Sequence, residues 1–86
     1  MRILHLVRKL NDPYPTGIIA AQRRDPNARV QVVYLQDAVY REAPEDVETF
    51  VLDEDCRARG VSTALPSLSY DELVERIFQS DRVISW

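Results

Sequence analysis

The single cysteine, Cys56, and the single histidine, His5, are the side chains of this 86-residue sequence best suited at neutral pH to act as a nucleophile and an acid–base catalyst. A thiolate near the start of a helix is the usual form of a reactive cysteine, because the helix dipole and nearby cations favour the ionised sulfur. Here Asp53, Glu54 and Asp55 immediately precede the thiol, and only Arg57 and Arg59 follow it. Carboxylates so close disfavour a further negative charge. The pattern therefore points to a structural thiol, with a sulfur-carrying nucleophile at Cys56 as the alternative. His5 lies inside the apolar run Ile3-Leu4-His5-Leu6-Val7 rather than at its end. That placement suits a packed imidazole bonded to a neighbour better than a proton shuttle.

Metal and nucleotide chemistry find no material. A zinc-type site needs three or four converging ligands, and the lone His and lone Cys are far apart in the sequence. With only Gly17 and Gly60 available, neither a dinucleotide fingerprint nor a phosphate-cradling Walker loop can be built. No cofactor and no metal are expected. The remaining candidates are contact residues. Gln36-Asp37 closes a β-rich run, which makes it a helix cap, a ligand or partner contact, or both. Trp86 fits either a plug under the final strand or an anchor in a subunit interface, since Trp is enriched in both settings.

These residues must be positioned by an alternation of short β-rich runs and helical segments. Ile3–Val7, Val30–Leu35, Glu48–Leu52 and Arg82–Trp86 read as strands covered on both faces. Residues 64–68 could add a short one, which Pro66 would confine to an edge. Asn11–Pro15 is turn material, and Thr16–Arg24 reads as a helix ended by Asp25-Pro26-Asn27. Asp37 is placed to cap a brief helix over residues 38–41, and Asp53 to cap another that leaves at Gly60. The clearest helix follows Ser69, whose spacing to Glu72 is that of a capping box. Tyr70, Leu73, Val74, Ile77 and Phe78 then recur at helical intervals. The order predicts right-handed crossovers in an α/β fold: a three-layer sandwich with a mostly parallel, four- to five-stranded sheet flanked by helices. Ligands of such sheets bind beyond the carboxyl ends of the strands, which brings Arg8-Lys9, Gln36-Asp37, Asp53-Glu54 and Ser69 into view.

The bulk numbers agree with one domain over residues 1–86, with 45% apolar and 29% charged residues. A formal net charge of −3 disfavours direct nucleic-acid binding, which draws on clustered Lys and Arg; Arg23, Arg24 and Arg29 read as solvated. No signal peptide is recognisable and no apolar run approaches the roughly 18 residues of a membrane span. A cytoplasmic protein is expected.

The segments Leu35-Gln36-Asp37-Ala38-Val39, Glu54-Asp55 with Arg57-Ala58-Arg59-Gly60, Ser69-Tyr70 and Val83-Ile84-Ser85-Trp86 together resemble the DsrH/TusB family of the DsrE/F/H-like superfamily. The resemblance implies sulfur trafficking, in tRNA wobble-uridine 2-thiolation for TusB-type members or in sulfur oxidation for DsrH-type members. It also implies assembly with DsrE/DsrF-like (TusD/TusC-like) subunits or with itself. Sulfur-handling members of the DsrH type carry a cysteine in the first helix. The matching stretch, Ile18-Ile19-Ala20-Ala21-Gln22, has none, and Cys56 does not match that position. The resemblance thus implies a subunit without catalytic residues of its own. A free-standing homo-oligomer that binds a small anion through Arg8, Gln36 and Asp37 is the third reading.

Overall fold

Every second residue of the β-rich runs is apolar on one parity, and most are apolar on the other too, so each run must be sandwiched. The computed structural model, which describes residues 1–86, shows this arrangement. The elements are β1 (Arg2–Val7), α1 (Tyr14–Gln22), β2 (Arg29–Tyr34), a 3-10 helix (Gln36–Tyr40), β3 (Glu48–Leu52), α2 (Asp53–Arg59), β4 (Ser67–Leu68), α3 (Tyr70–Gln79) and β5 (Arg82–Ser85). The five strands form one sheet in the order β4-β3-β2-β1-β5, and every pairing is parallel. No helix is long and apolar enough to cross a membrane.

The strand order explains which face each helix takes. From β1 to β4 the chain steps steadily towards one edge, so right-handed crossovers put α1, the 3-10 helix and α2 on the same face. The return from β4 to β5, past β1, puts α3 on the other. Side-chain parity agrees. Val7, Val32, Tyr34 and Val51 pack with Ile19 of α1, Ala38 and Val39 of the 3-10 helix, and Cys56 of α2. Leu4, Val33, Phe50 and Leu52 pack with Leu68 of β4 and Leu73 of α3. Each buried aliphatic side chain contributes about 1.5–3 kcal/mol relative to exposure, so these two layers account for much of the folding drive.

Several boundaries differ from the sequence reading. α1 begins at Tyr14, because Pro15 fits the first turn, where its missing N–H is no loss. The Asp12 side chain accepts the Tyr14 N–H at 3.1 Å just outside it. Asp37 and Asp53 are not caps: the residues in that position are Leu35 and Leu52, without side-chain bonds. Both carboxylates are taken instead by arginines of α2, Asp37 by Arg59 at 3.0 Å and Asp53 by Arg57 at 2.6 Å. At the other end of α2, Gly60 takes the left-handed conformation, φ 63°, that terminates the helix. The strand expected over 64–68 is reduced to Ser67–Leu68 at the sheet edge. The capping box of α3 is complete: Ser69 Oγ accepts the Glu72 N–H at 3.2 Å, and the Glu72 carboxylate accepts the Ser69 N–H at 3.0 Å. These bonds hold the Glu72 carboxyl below its ordinary pKa.

Candidate functional site at the carboxyl ends of the strands

β1 runs out into Arg8-Lys9 and β2 into Leu35-Gln36, side by side because the two strands pair in register from Arg2–Arg29 to Val7–Tyr34. The chain must then leave the sheet plane twice within a few residues. The loop after β1 is held open by Arg41, whose guanidinium donates to the carbonyls of Lys9 and Asp12, both at 3.0 Å. After β2 the turn is made by Gln36, which adopts φ 51°. That left-handed conformation is unfavourable for a residue with a side chain. It is kept here because Asp55 of α2 accepts the Gln36 N–H at 2.7 Å. Ala38 lies buried in the next turn.

Between the two loops is an open cavity of about 730 Å³, lined by Arg8, Lys9, Tyr14, Gln36, Asp37 and Tyr40 among its ten residues. The structure therefore brings Gln36, Asp37 and Arg8 together. Its electrostatics favour negative charge. Asp37 is neutralised by Arg59, and the Asp12 carboxylate faces the backbone of Tyr14. Lys9 is in no ion pair, and Arg8 pairs with no side-chain carboxylate, its Nε donating instead to the main-chain oxygen of Trp86 at 3.2 Å. Tyr14 and Tyr40, both exposed, supply aromatic walls that strand-end reasoning did not identify. Tyr14 enters only because α1 starts earlier than its sequence suggests, and Tyr40 because a 3-10 helix turns its ring outward.

Trp86 is not part of the cavity lining. Its carbonyl accepts from Arg8 Nε at 3.2 Å, while its side chain turns into the core layer of α1. There the indole Nε1–H donates to His5 Nδ1 at 2.9 Å, with the two rings stacked at 6.2 Å and 13°. Since Nδ1 accepts, Nε2 must carry the imidazole proton, and it donates to Gln22 Oε1 at 2.6 Å. His5 is therefore a fully buried, doubly bonded neutral ring. Burial lowers its pKa, and the Gln22 bond opposes that shift. Acid–base work would require breaking one of these bonds.

Cys56 is apart from the cavity, packed beneath the 3-10 helix with 7% of its surface accessible. Burial is the first cause that pushes its thiol pKa up. The Asp53 and Asp55 carboxylates add to it, and Arg59 offsets part. Sequence reasoning weighed the acids and expected a structural thiol; the structure adds that desolvation is the larger effect. No three His, Cys or carboxylate side chains converge as a metal site.

No protein-family model matches the chain, and no curated protein matches its sequence. Among solved structures, the backbone is similar to the crystal structure of the ychN protein from E. coli, with a TM-score of 0.78 over 100% of this chain and 99% of that one, at 16% identity. The likeness shows that the two chains share one architecture.

Proposed function

We propose that this chain is a non-catalytic subunit of a sulfur-relay complex, one that shapes a transfer site without carrying the sulfur. The observation that carries this reading is the state of its only thiol: buried to 7% exposure, with its pKa raised by desolvation and two carboxylates. A persulfide carrier needs an accessible thiolate. The DsrE/F-like architecture supplies the context, and the stretch Ile18–Gln22, where a sulfur-handling relative carries its cysteine, has none. The partners that suit this role are DsrE/DsrF-like (TusD/TusC-like) subunits bearing the nucleophile, or further copies of the chain. The sulfur would go to tRNA wobble-uridine 2-thiolation or to sulfur oxidation.

The test is a reconstituted relay supplied with labelled persulfide. The Cys56→Ser chain is expected to support transfer at the unaltered rate, and the label is expected on partner cysteines alone. Label that accumulates on Cys56 and moves onward would restore the carrier reading. A second reading, a small-anion binder, is favoured by the cavity lined by Arg8 and Lys9, neither of which pairs with a side-chain carboxylate. It predicts saturable sulfate or thiosulfate binding that Arg8→Ala abolishes.

A further inference from the structure

An ion as small as sulfate satisfies only part of the cavity at the carboxyl ends of β1 and β2. Its volume of about 730 Å³ falls within the range of organic-ligand pockets, roughly 300–1,000 Å³. Its lining combines two kinds of group. Arg8 and Lys9 supply positive charge with the Gln36 amide beside them, and Tyr14 and Tyr40 supply two phenol rings.

The charged part is free to bind. Arg8 engages the protein only through Nε, on the main-chain oxygen of Trp86 at 3.2 Å. Its terminal nitrogens and the Lys9 ammonium have no protein partner. The Gln36 side chain is free as well, because the bond to Asp55 is made by its backbone N–H. Of the two carboxylates in the lining, Asp37 is paired with Arg59 at 3.0 Å, and Asp12 accepts the Tyr14 N–H at 3.1 Å.

The rings come from separate elements, Tyr14 from the start of α1 and Tyr40 from the end of the 3-10 helix. They are 75% and 52% exposed. Exposure alone would not mark them, since Tyr70 of α3 is 50% exposed too. What sets them apart is how their segments are braced. Arg41, next to Tyr40, donates to the carbonyls of Lys9 and Asp12, both at 3.0 Å, and more weakly to Thr16 Oγ1 at 3.4 Å. One guanidinium thus ties the segment of Tyr40 to the chain on both sides of Tyr14. It is itself held over the Tyr34 ring, 5.9 Å from the ring centre. Walls fixed in advance lower the ordering cost of binding, and a flat ligand gains by stacking on a ring already in place.

We propose that this cavity takes an anion carried on an aromatic ring: Arg8 and Lys9 bind the anionic group, and Tyr14 and Tyr40 take the face of the ring. The inference rests on the small-anion reading and narrows it from any inorganic oxyanion to an aryl sulfonate, phosphate or carboxylate. An inorganic anion leaves both phenols in water, and an uncharged ring leaves both cations unpaired.

The experiment is calorimetric titration of the chain with naphthalenesulfonate, which has ring and anion, with sulfate, the anion alone, and with naphthol, the ring alone. Naphthalenesulfonate is expected to saturate one site at least about ten-fold more tightly than either of the others. It carries less charge than sulfate, so attraction to Arg8 and Lys9 alone would rank the two anions the other way. Arg8→Ala should abolish sulfate binding and weaken the sulfonate about ten-fold. Tyr14→Ala and Tyr40→Ala should each weaken the sulfonate about five-fold, and sulfate much less. Tyr70→Ala on α3 should change neither. Arg8-dependent sulfate binding with no tighter binding of the sulfonate would overturn the proposal and leave the small-anion reading standing. If neither anion saturates, both fall together. Sulfonate binding that is lost to Tyr70→Ala, or untouched by both tyrosine substitutions at the cavity, would also overturn the proposal.

Discussion

The two faces of the sheet are built from similar aliphatic strands and are finished in opposite ways. On the α1 side, three helical segments close over Val7, Val32 and Val51, and the one buried imidazole is tied to Gln22 and Trp86. On the α3 side one ten-residue helix does all the covering, and an apolar flank stays open. The difference teaches that apolar periodicity does not measure burial. Ile19 and Phe78 are both large apolar residues on helices, yet Ile19 is in the core and Phe78 is almost free. The crowded face stabilises the monomer, and the sparse face has surface to spare.

Substitutions can break that comparison or sharpen it. The largest loss is expected for Ile19→Ala on the closed face, about 2–4 kcal/mol in chemical denaturation, because the buried methylenes leave a cavity. Trp86→Phe keeps an aromatic ring but removes the donor to His5 Nδ1. Leaving that buried nitrogen unpaired should cost about 1–3 kcal/mol. The same site sets a pH dependence. His5 has its pKa lowered from 6.5 in the folded chain, so the unfolded chain takes up the proton first as pH falls. Stability should therefore decline below pH 6.5 and go on declining until the folded imidazole is itself protonated. Emission from Trp86 would report the transition, and the decline should vanish in His5→Gln. The carboxyls of Glu48 and Glu72, also lowered, contribute only below their unfolded value of 4.5.

Effects on the open face should be smaller. Ser69→Ala removes the cap of the only covering helix and should cost about 1 kcal/mol. Val74→Ala should change stability by no more than about 0.5 kcal/mol. A loss as large as that of Ile19→Ala would mean that the α3 flank is core after all.

What was legible in the sequence follows the range of the interactions. β3 was read to the residue and α3 with its complete capping box, since both are specified by patterns within a few positions. Gly60 was legible for the same reason. Asp37 and Asp53 were misread as caps because their fate depends on arginines of α2, which local spacing does not weigh against a backbone N–H. Of the residues the strand-end rule singled out, Arg8, Lys9, Gln36 and Asp37 line one cavity, whereas Asp53, Glu54 and Ser69 do not. Tyr14, Tyr40 and the loop-holding Arg41 escaped it, because their placement follows from a helix start and a turn set by distant bonds. The left-handed Gln36 left no trace in the sequence, which offers neither glycine nor asparagine there.

The strand order also governs how the molecule is completed. β1, the first strand made, is bordered on one side by β2 but on the other by β5, the last. The Trp86–His5 bond closes a separation of 81 residues. Joining such distant segments carries a large loop-closure cost. A nascent chain emerging from the ribosome must therefore keep one border of β1 unpaired, and His5 without its indole donor, until β5 and Trp86 have been made.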